Sequence, residues 1–275
     1  MTKSQIFPES CYNFKKLSRE QVIEAKENGD TLTGYVESIL GETEELEVTL
    51  GDNLSARLPF SEVTIYPLHH TANSNRVYPI QIEILLHKKI RVKVTDVTGD
   101  QITLSRKQNM LEAYEHLAKC DSAYFHITNV EQAFAYGDIG DGINARLYIR
   151  EISRNHIKSV SEEFHRGDKV WVAIISANDK KQFELSYRKM FRPYNPDDYK
   201  PGDPVQCKVT VPVDDMMTGY YTSVTPQVRG IVDTDQVLQY GDRILCTVNR
   251  AAEKGLKLRL VRVLKEENSE TTETA

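Results

Sequence analysis

The sequence predicts an all-β chain with short linker helices, in which small five-stranded barrels follow one another in tandem. Three observations carry this. Val, Ile and Leu alternate with polar residues at period two in Lys89–Val97, Asp168–Ile175 and Asp242–Val248, the pattern of strands with one buried face. Gly-Asp pairs at Gly99-Asp100, Gly167-Asp168, Gly202-Asp203 and Gly241-Asp242 mark turns beside such stretches. The plan returns every roughly 70–80 residues, too long for a solenoid unit and right for a small barrel.

Residues 1–29 read as an N-terminal segment with one helix. Ser18 is placed to cap Arg19–Asn28, and Gly29 is the stop. The first barrel occupies 30–109, with an insertion between Thr64 and His87. Lys107–Lys119 sets Met110, Leu111, Tyr114 and Leu117 on one helical face, and residues 110–119 form the link to the next barrel. The second barrel covers 120–190. The stretch 191–201 holds Pro193, Pro196 and Pro201 and reads as an extended, stiff linker. The third barrel covers 202–264, and 265–275, with four glutamates and one lysine, reads as an acidic disordered tail.

Composition narrows the function classes. No apolar run approaches the ~18 residues of a membrane span, and Met1–Ser10 has no apolar signal region. Cys11, Cys120, Cys207 and Cys246 form no close pair, which fits a reduced, cytoplasmic setting. None of the serine-hydrolase, phosphate-loop or zinc-protease signatures is present, so no enzyme is expected. His69, His70 and His87 have no Cys or carboxylate at ligand spacing, so neither metal nor cofactor is expected. Asp138 and Asp141 among glycines read as a turn, not as paired catalytic carboxylates. The net charge of −5 counts against a phosphate-binding chain, but it is uneven. Asp30–Glu62 is acidic, and Lys119–Arg192 is slightly basic.

The middle unit carries a resemblance. Tyr136-Gly-Asp-Ile-Gly-Asp-Gly, then Leu147-Tyr-Ile-Arg-Glu-Ile, then Gly167-Asp168, then Leu185-Ser-Tyr-Arg resembles the S1 repeat of bacterial ribosomal protein S1. The first unit matches it at Gly34-Tyr-Val, Ala56-Arg-Leu-Pro-Phe-Ser-Glu-Val and Leu104-Ser-Arg-Lys. The third matches at Gly219-Tyr-Tyr-Thr-Ser-Val-Thr-Pro-Gln-Val-Arg-Gly and Gly241-Asp242. The ordered set, over roughly 30–264, is similar to three-repeat S1-like proteins of Gram-positive bacteria. The resemblance implies tandem OB-fold barrels of the S1 type and single-stranded RNA as partner, in the setting of the ribosome or of mRNA.

In that family, RNA bases stack on rings of the second and third strands. Carried over, the ring positions of the middle unit are Ala133, Tyr136 and Tyr148, with Phe134 beside the lost ring. An offset of one residue turns Phe134 to the opposite face unless a bulge reorients it. The expected basic rim is Arg146, Arg150, Arg188 and Lys181. In the third unit the expected contacts are Tyr220, Tyr221 and Arg229. The first unit has Ser38, Gly41-Glu42 and Pro59 at ring positions, among Glu44, Glu45 and Glu47 that repel phosphate. It reads as a docking module with a protein partner. The alternative for the whole chain is a non-catalytic protein–protein interaction scaffold built of the same barrels.

Overall fold

A computed structural model describes residues 1–69, 78–155, 157–212 and 219–264. His70 and the tail 265–275 lie outside these residues. Among the described residues, fifteen strands close into three barrels. The first holds β1 (Thr31–Leu40), β2 (Glu45–Gly51), β3 (Leu54–Pro59), β4 (Lys89–Thr98) and β5 (Gln101–Ser105). The second holds β6 (Ser122–Val130), β7 (Phe134–Asp138), β8 (Asn144–Tyr148), β9 (Lys169–Ala177) and β10 (Phe183–Ser186). The third holds β11 (Pro204–Pro212), β12 (Gly219–Thr225), β13 (Val228–Asp233), β14 (Arg243–Ala252) and β15 (Gly255–Leu264).

Each barrel closes in the order first, second, third, fifth, fourth. The third and fifth strands run parallel, as in the pairs Arg57 with Thr103, Leu147 with Leu185 and Val232 with Leu258. The first strand of each carries a bulge at the same place, at Val36/Ser38, Ile127/Asn129 and Val209/Val211. A bulge sharpens the local twist and helps so small a sheet close. The chain is thus three tandem OB-type barrels, as the sequence implied.

The alternating apolar residues fill the barrel interiors. Val48, Leu58, Ile90 and Leu104 lie in the first, Phe125, Ile127, Phe183 and Leu185 in the second, and Ile244, Cys246, Val248 and Leu258 in the third. The Gly-Asp pairs work in two ways. Gly99-Asp100 is the turn between β4 and β5. Gly167, Gly202 and Gly241 adopt φ of 99°, 95° and 91°, and the next Asp accepts the backbone N–H of His165, Lys200 or Gln239 at 2.7–2.8 Å. These closed turns feed β9, β11 and β14.

Helix α1 (Arg19–Asn28) has the predicted limits: Ser18 forms a capping box with Gln21, and Gly29 adopts the left-handed stop. Helix α2 (Ile80–Glu83) lies in the insertion. Helix α3 (Arg106–Leu117) begins one residue before the expected start and buries Arg106, Asn109, Met110, Ala113 and Leu117. Leu111, expected on that face, is instead exposed. The real stripe runs through 106, 109/110, 113 and 117, which puts Leu111 on the far side.

The described chain divides into two compact units, Met1–Leu147 with Phe164–Leu185, and Tyr148–Glu163 with the residues from Ser186 onward. In the first unit the N-terminal segment ties two barrels together. Lys3 bridges to Ser122, the first residue of β6, and the Ser4 N–H donates to the Ser122 carbonyl at 2.8 Å. Phe7 meets Tyr124 and Trp171 edge-on at 6.2 and 6.4 Å. Ten residues on, Leu17 donates to Leu50 of the first barrel. Tyr66, from the insertion, accepts the Asn144 N–H at 2.8 Å and donates to the Lys181 carbonyl, while Tyr114 of α3 lies 5.2 Å from Phe183. In the second unit the Pro-rich stretch lies on its barrel, with Tyr194 and Tyr199 packed against the third core.

The close approach at Gly142 gives a test. Its φ is 81°, and an added Cβ would sit 1.9 Å from Arg106 Nη2. Gly99, at φ 53°, has open space around it. Gly142→Ala should cost about 3 kcal/mol and Gly99→Ala about 1 kcal/mol, strain plus overpacking against strain alone. Urea unfolding followed by the fluorescence of Trp171 reads both. Equal losses would refute the tight docking.

Candidate nucleic-acid interface

On the middle barrel, β7 buries Ala135 and Gly137 and turns Phe134 and Tyr136 outward together. Phe134 therefore shares the face of Tyr136: the two stand two positions apart, which keeps them on one side of a strand. Their ring centroids are 5.9 Å apart with planes inclined by 31°. On β8, Arg146 faces outward and lays its guanidinium 5.3 Å from the Phe134 ring. These three side chains make a stacking platform of the kind an unpaired base uses.

The platform is edged by carboxylates. Arg146 Nε donates to Glu184 Oε1 at 2.6 Å. Burial pushes the Tyr136 phenol up, and the charge of Glu131 adds to that. Tyr148 ends β8 on the alternation of Arg146, and the second compact unit begins with it. Arg150 is exposed in the turn that follows. Arg188 forks onto Glu151 at 2.6 and 3.2 Å. Lys181 sits in the β9–β10 turn at φ 57°, and its ammonium lies 5.8 Å from the Tyr114 ring. So Phe134, Tyr136 and Arg146 are gathered on one face, whereas Lys181 faces the docking region of the first unit.

The third barrel gathers charge that the sequence reading passed over. Its outer strand positions pair in rows. Tyr221 lies beside Ile231, Ile231 beside Lys257, and Lys257 beside Arg250. The next row sets Asp233 beside Arg259 and Arg259 beside Thr247. Ser223 pairs with Arg229, and Leu245 with Arg262. Between Arg243 and Leu264 stand six basic residues and one acid, Glu253, and all six are exposed. Tyr221 and Ile231 are exposed by 36% and 38%, so a ring and an aliphatic patch lie open among these cations. Tyr220 points the other way: it packs against the core and its hydroxyl accepts the Leu238 N–H. Arg229 donates through Nε to the Lys254 carbonyl, which holds its guanidinium on the hairpin side. The alternation of Lys257 and Arg259 with the buried Leu256 and Leu258 is the sequence signal of this row.

On the first barrel, β2 carries acids instead. Glu47 pairs with Arg57, the one basic residue between Asp30 and Glu62, and accepts from Ser38 at 3.0 Å. Pro59 stands opposite Glu45.

The glycine-rich turn of the middle barrel is structural. Asp138 Oδ1 accepts the N–H groups of Gly140 and Gly142, and Oδ2 accepts that of Glu9 at 2.8 Å. Glu9 in turn takes Arg106 Nε and Nη2, both at 2.8 Å, and the Arg91 N–H at 2.9 Å. Asp141 receives Asn109 at 3.1 Å and lies 3.6 Å from Arg91 Nε. Three carboxylates thus share two guanidiniums. Burial pushes the Asp138 carboxyl up to about 7, and the Glu9 charge adds to this against the hydrogen bonds it accepts. Among the described residues no group of His, Cys, Asp and Glu is set to hold a metal, and no helix is long and apolar enough to cross a membrane.

No protein-family model matches this chain. No curated protein matches it. Among solved structures it is similar to a chain of the a/eIF2alpha–aDim2p–rRNA complex from Pyrococcus horikoshii OT3, with 17% identity and a TM-score of 0.25 over 26% of this chain and 45% of that one. It is similar to a multidomain protein with nucleic acid binding domains from Streptococcus pneumoniae TIGR4, with 11% identity and a TM-score of 0.27 over 85% of this chain and 73% of that one. It is also similar to Drosophila Unr, with 10% identity and a TM-score of 0.21 over 86% of this chain and 98% of that one. At these values the likenesses do not assign a family.

The raised Asp138 carboxyl fixes a pH dependence. Below its ordinary value of 3.8 it is protonated folded or unfolded; from there to about 7 only the folded chain holds the proton. Its contribution to stability therefore falls as pH rises through this window and is flat beyond it. Urea midpoints read on Trp171 from pH 5 to 8 should fall more steeply for the parent chain than for Asp138→Asn. Identical slopes would show that Asp138 does not retain the proton in the folded chain.

Proposed function

We propose that this chain is a non-catalytic single-stranded RNA-binding protein, with the third barrel supplying the charge and the middle barrel a stacking platform. The observation that carries the reading is the row Tyr221, Ile231, Lys257 and Arg250 across four strands, with the cations Arg229, Arg259 and Arg262 around it. Rings exchange stacking with any base, and exposed cations replace the counterions of the phosphates. The platform of Phe134, Tyr136 and Arg146 is the second contact, with Tyr148, Arg150, Lys181 and Arg188 as outlying candidates. The resemblance of the three repeats to ribosomal protein S1 supports a setting in translation or mRNA handling, in the cytoplasm.

The first barrel favours a different partner. Eight acids and one arginine between Asp30 and Glu62, with no ring at the matching strand positions, suit a basic protein surface. That reading concerns the first barrel alone.

A fluorescent pyrimidine-rich 12-mer, titrated against the full chain at several salt concentrations, tests the proposal. Parent protein should bind. Replacing Arg250, Lys257, Arg259 and Arg262 together by Gln should cost at least tenfold in affinity and flatten the slope of log K against log salt by about 2 to 3. Tyr136→Ala with Phe134→Ala should lose roughly 1–3 kcal/mol per stacked base while leaving that slope unchanged. Absence of binding at low salt would overturn the reading, and capture of a protein partner by the same face of the first barrel after RNase treatment would then favour the scaffold.

A further inference from the structure

The cations on β14 and β15 enter no ion pair among the described residues. The ion pairs of the second compact unit join Arg188 to Glu151, Arg192 to Asp198 and Lys208 to Glu163. Arg250, Lys257, Arg259 and Arg262 stand outside them, and all four are exposed. Lys257 lies directly opposite Arg250, and like charges so placed repel. An anion lying across this row relieves that repulsion.

The same strand carries a source of negative charge. β15 runs from Lys257 through Arg259 and Arg262 to Leu264, which pairs with the exposed Arg243. Residues 265–275 follow and lie outside the described residues. Their sequence sets Glu266, Glu267, Glu270 and Glu273 against Lys265, with no aromatic or branched apolar side chain. Such a segment has charge to offer a surface and nothing to bury against it. Its reach is sufficient. Extended, eleven residues span up to about 38 Å, and the ten residues of β15 span roughly 33 Å. Because the link is covalent, the segment meets the row at an effective concentration on the order of millimolar.

From this we infer that residues 265–275 fold back along β15 and lie over the cations of β14 and β15 as a tethered competitor of RNA. The glutamates take the positions that phosphates take, and they release the same counterions. An RNA strand has to displace them, so it binds more weakly than the bare face allows, and most so at low salt. That the segment regulates RNA binding rests on the function proposed above; its contact with the row rests on the charges and the tether.

The test compares the full chain with a full-length variant carrying Glu266→Gln, Glu267→Gln, Glu270→Gln and Glu273→Gln. Amide NMR spectra of both are recorded without RNA at about 50 mM and about 500 mM salt. At low salt the signals of Arg250, Lys257, Arg259 and Arg262 should differ between the two chains, and at high salt they should coincide. The variant should bind the pyrimidine-rich 12-mer roughly three- to tenfold more tightly at low salt, with the gain lost at high salt. Coincident spectra at low salt would overturn the inference even if the affinity changed, because repulsion at a distance alters affinity without contact. A spectral difference that grows with protein concentration would seat a second copy's segment on the row and overturn it too. The two readouts separate this failure from that of the RNA reading. Binding of the 12-mer with coincident spectra refutes the tethered contact and leaves RNA binding intact. A spectral difference without 12-mer binding by either chain refutes RNA binding and leaves the contact.

Discussion

The guanidinium of Arg106 lies out of water, on the first turn of the helix that joins two barrels, with its side chain only 7% exposed. Breaking such a buried pair by removing one partner costs on the order of 3–5 kcal/mol, because the other charge is stranded. Here the partner is Glu9, which comes from the far N-terminal segment and holds Arg106 by two bonds of 2.8 Å. The same residue hands its backbone N–H to Asp138, the last residue of β7. One ion pair thereby fixes the path of the N-terminal segment, the start of α3 and the glycine-rich turn of the middle barrel. Gly142 has to be glycine there, because Arg106 occupies the space of a side chain.

That arrangement bears on what the surfaces do. The turn Asp138–Gly142 is spent on holding barrels together, so the middle barrel offers only its strand face. There each useful group has a carboxylate beside it, Glu184 on Arg146 and Glu131 on Tyr136. On the third barrel the cations stand in rows, with Asp233 as the lone carboxylate among the paired positions of β12, β13, β14 and β15. The chain's net charge of −5 hides this division, because residues 30–109 hold eleven acids against eight Lys and Arg and residues 265–275 four against one, while 243–264 holds six Lys and Arg and one acid.

Much of the fold was legible. Alternation of Val and Ile fixes which residues enter each barrel, and Ser18 with Gly29 sets α1 to the residue. The Gly-Asp pairs marked turns for a reason visible in the structure, a carboxylate closing back on an N–H three residues earlier. Leu111 was misread because helical spacing alone does not say which of two partly apolar stripes is covered. The candidate site was less legible. Phe134 and Tyr136 share a face by strand parity, which the family alignment at Ala133 obscured. The role of Glu9 depends on contacts 97 and 129 residues away and left no local mark. The basic face escaped notice because Arg229, Arg250, Lys257 and Arg259 come from three strands and meet only through register.

The central claim is a division of labour, in which charge on the third barrel and rings on the middle one meet RNA while the first barrel does not. Amide hydrogen exchange of the full chain, with and without a saturating pyrimidine-rich 12-mer, addresses it most directly. The account expects slowed exchange in β12, β13 and β15, a smaller effect in β7 and β8, and none in β1–β3. Protection centred on β2 and β3, or binding without protection of the third barrel, would contradict it.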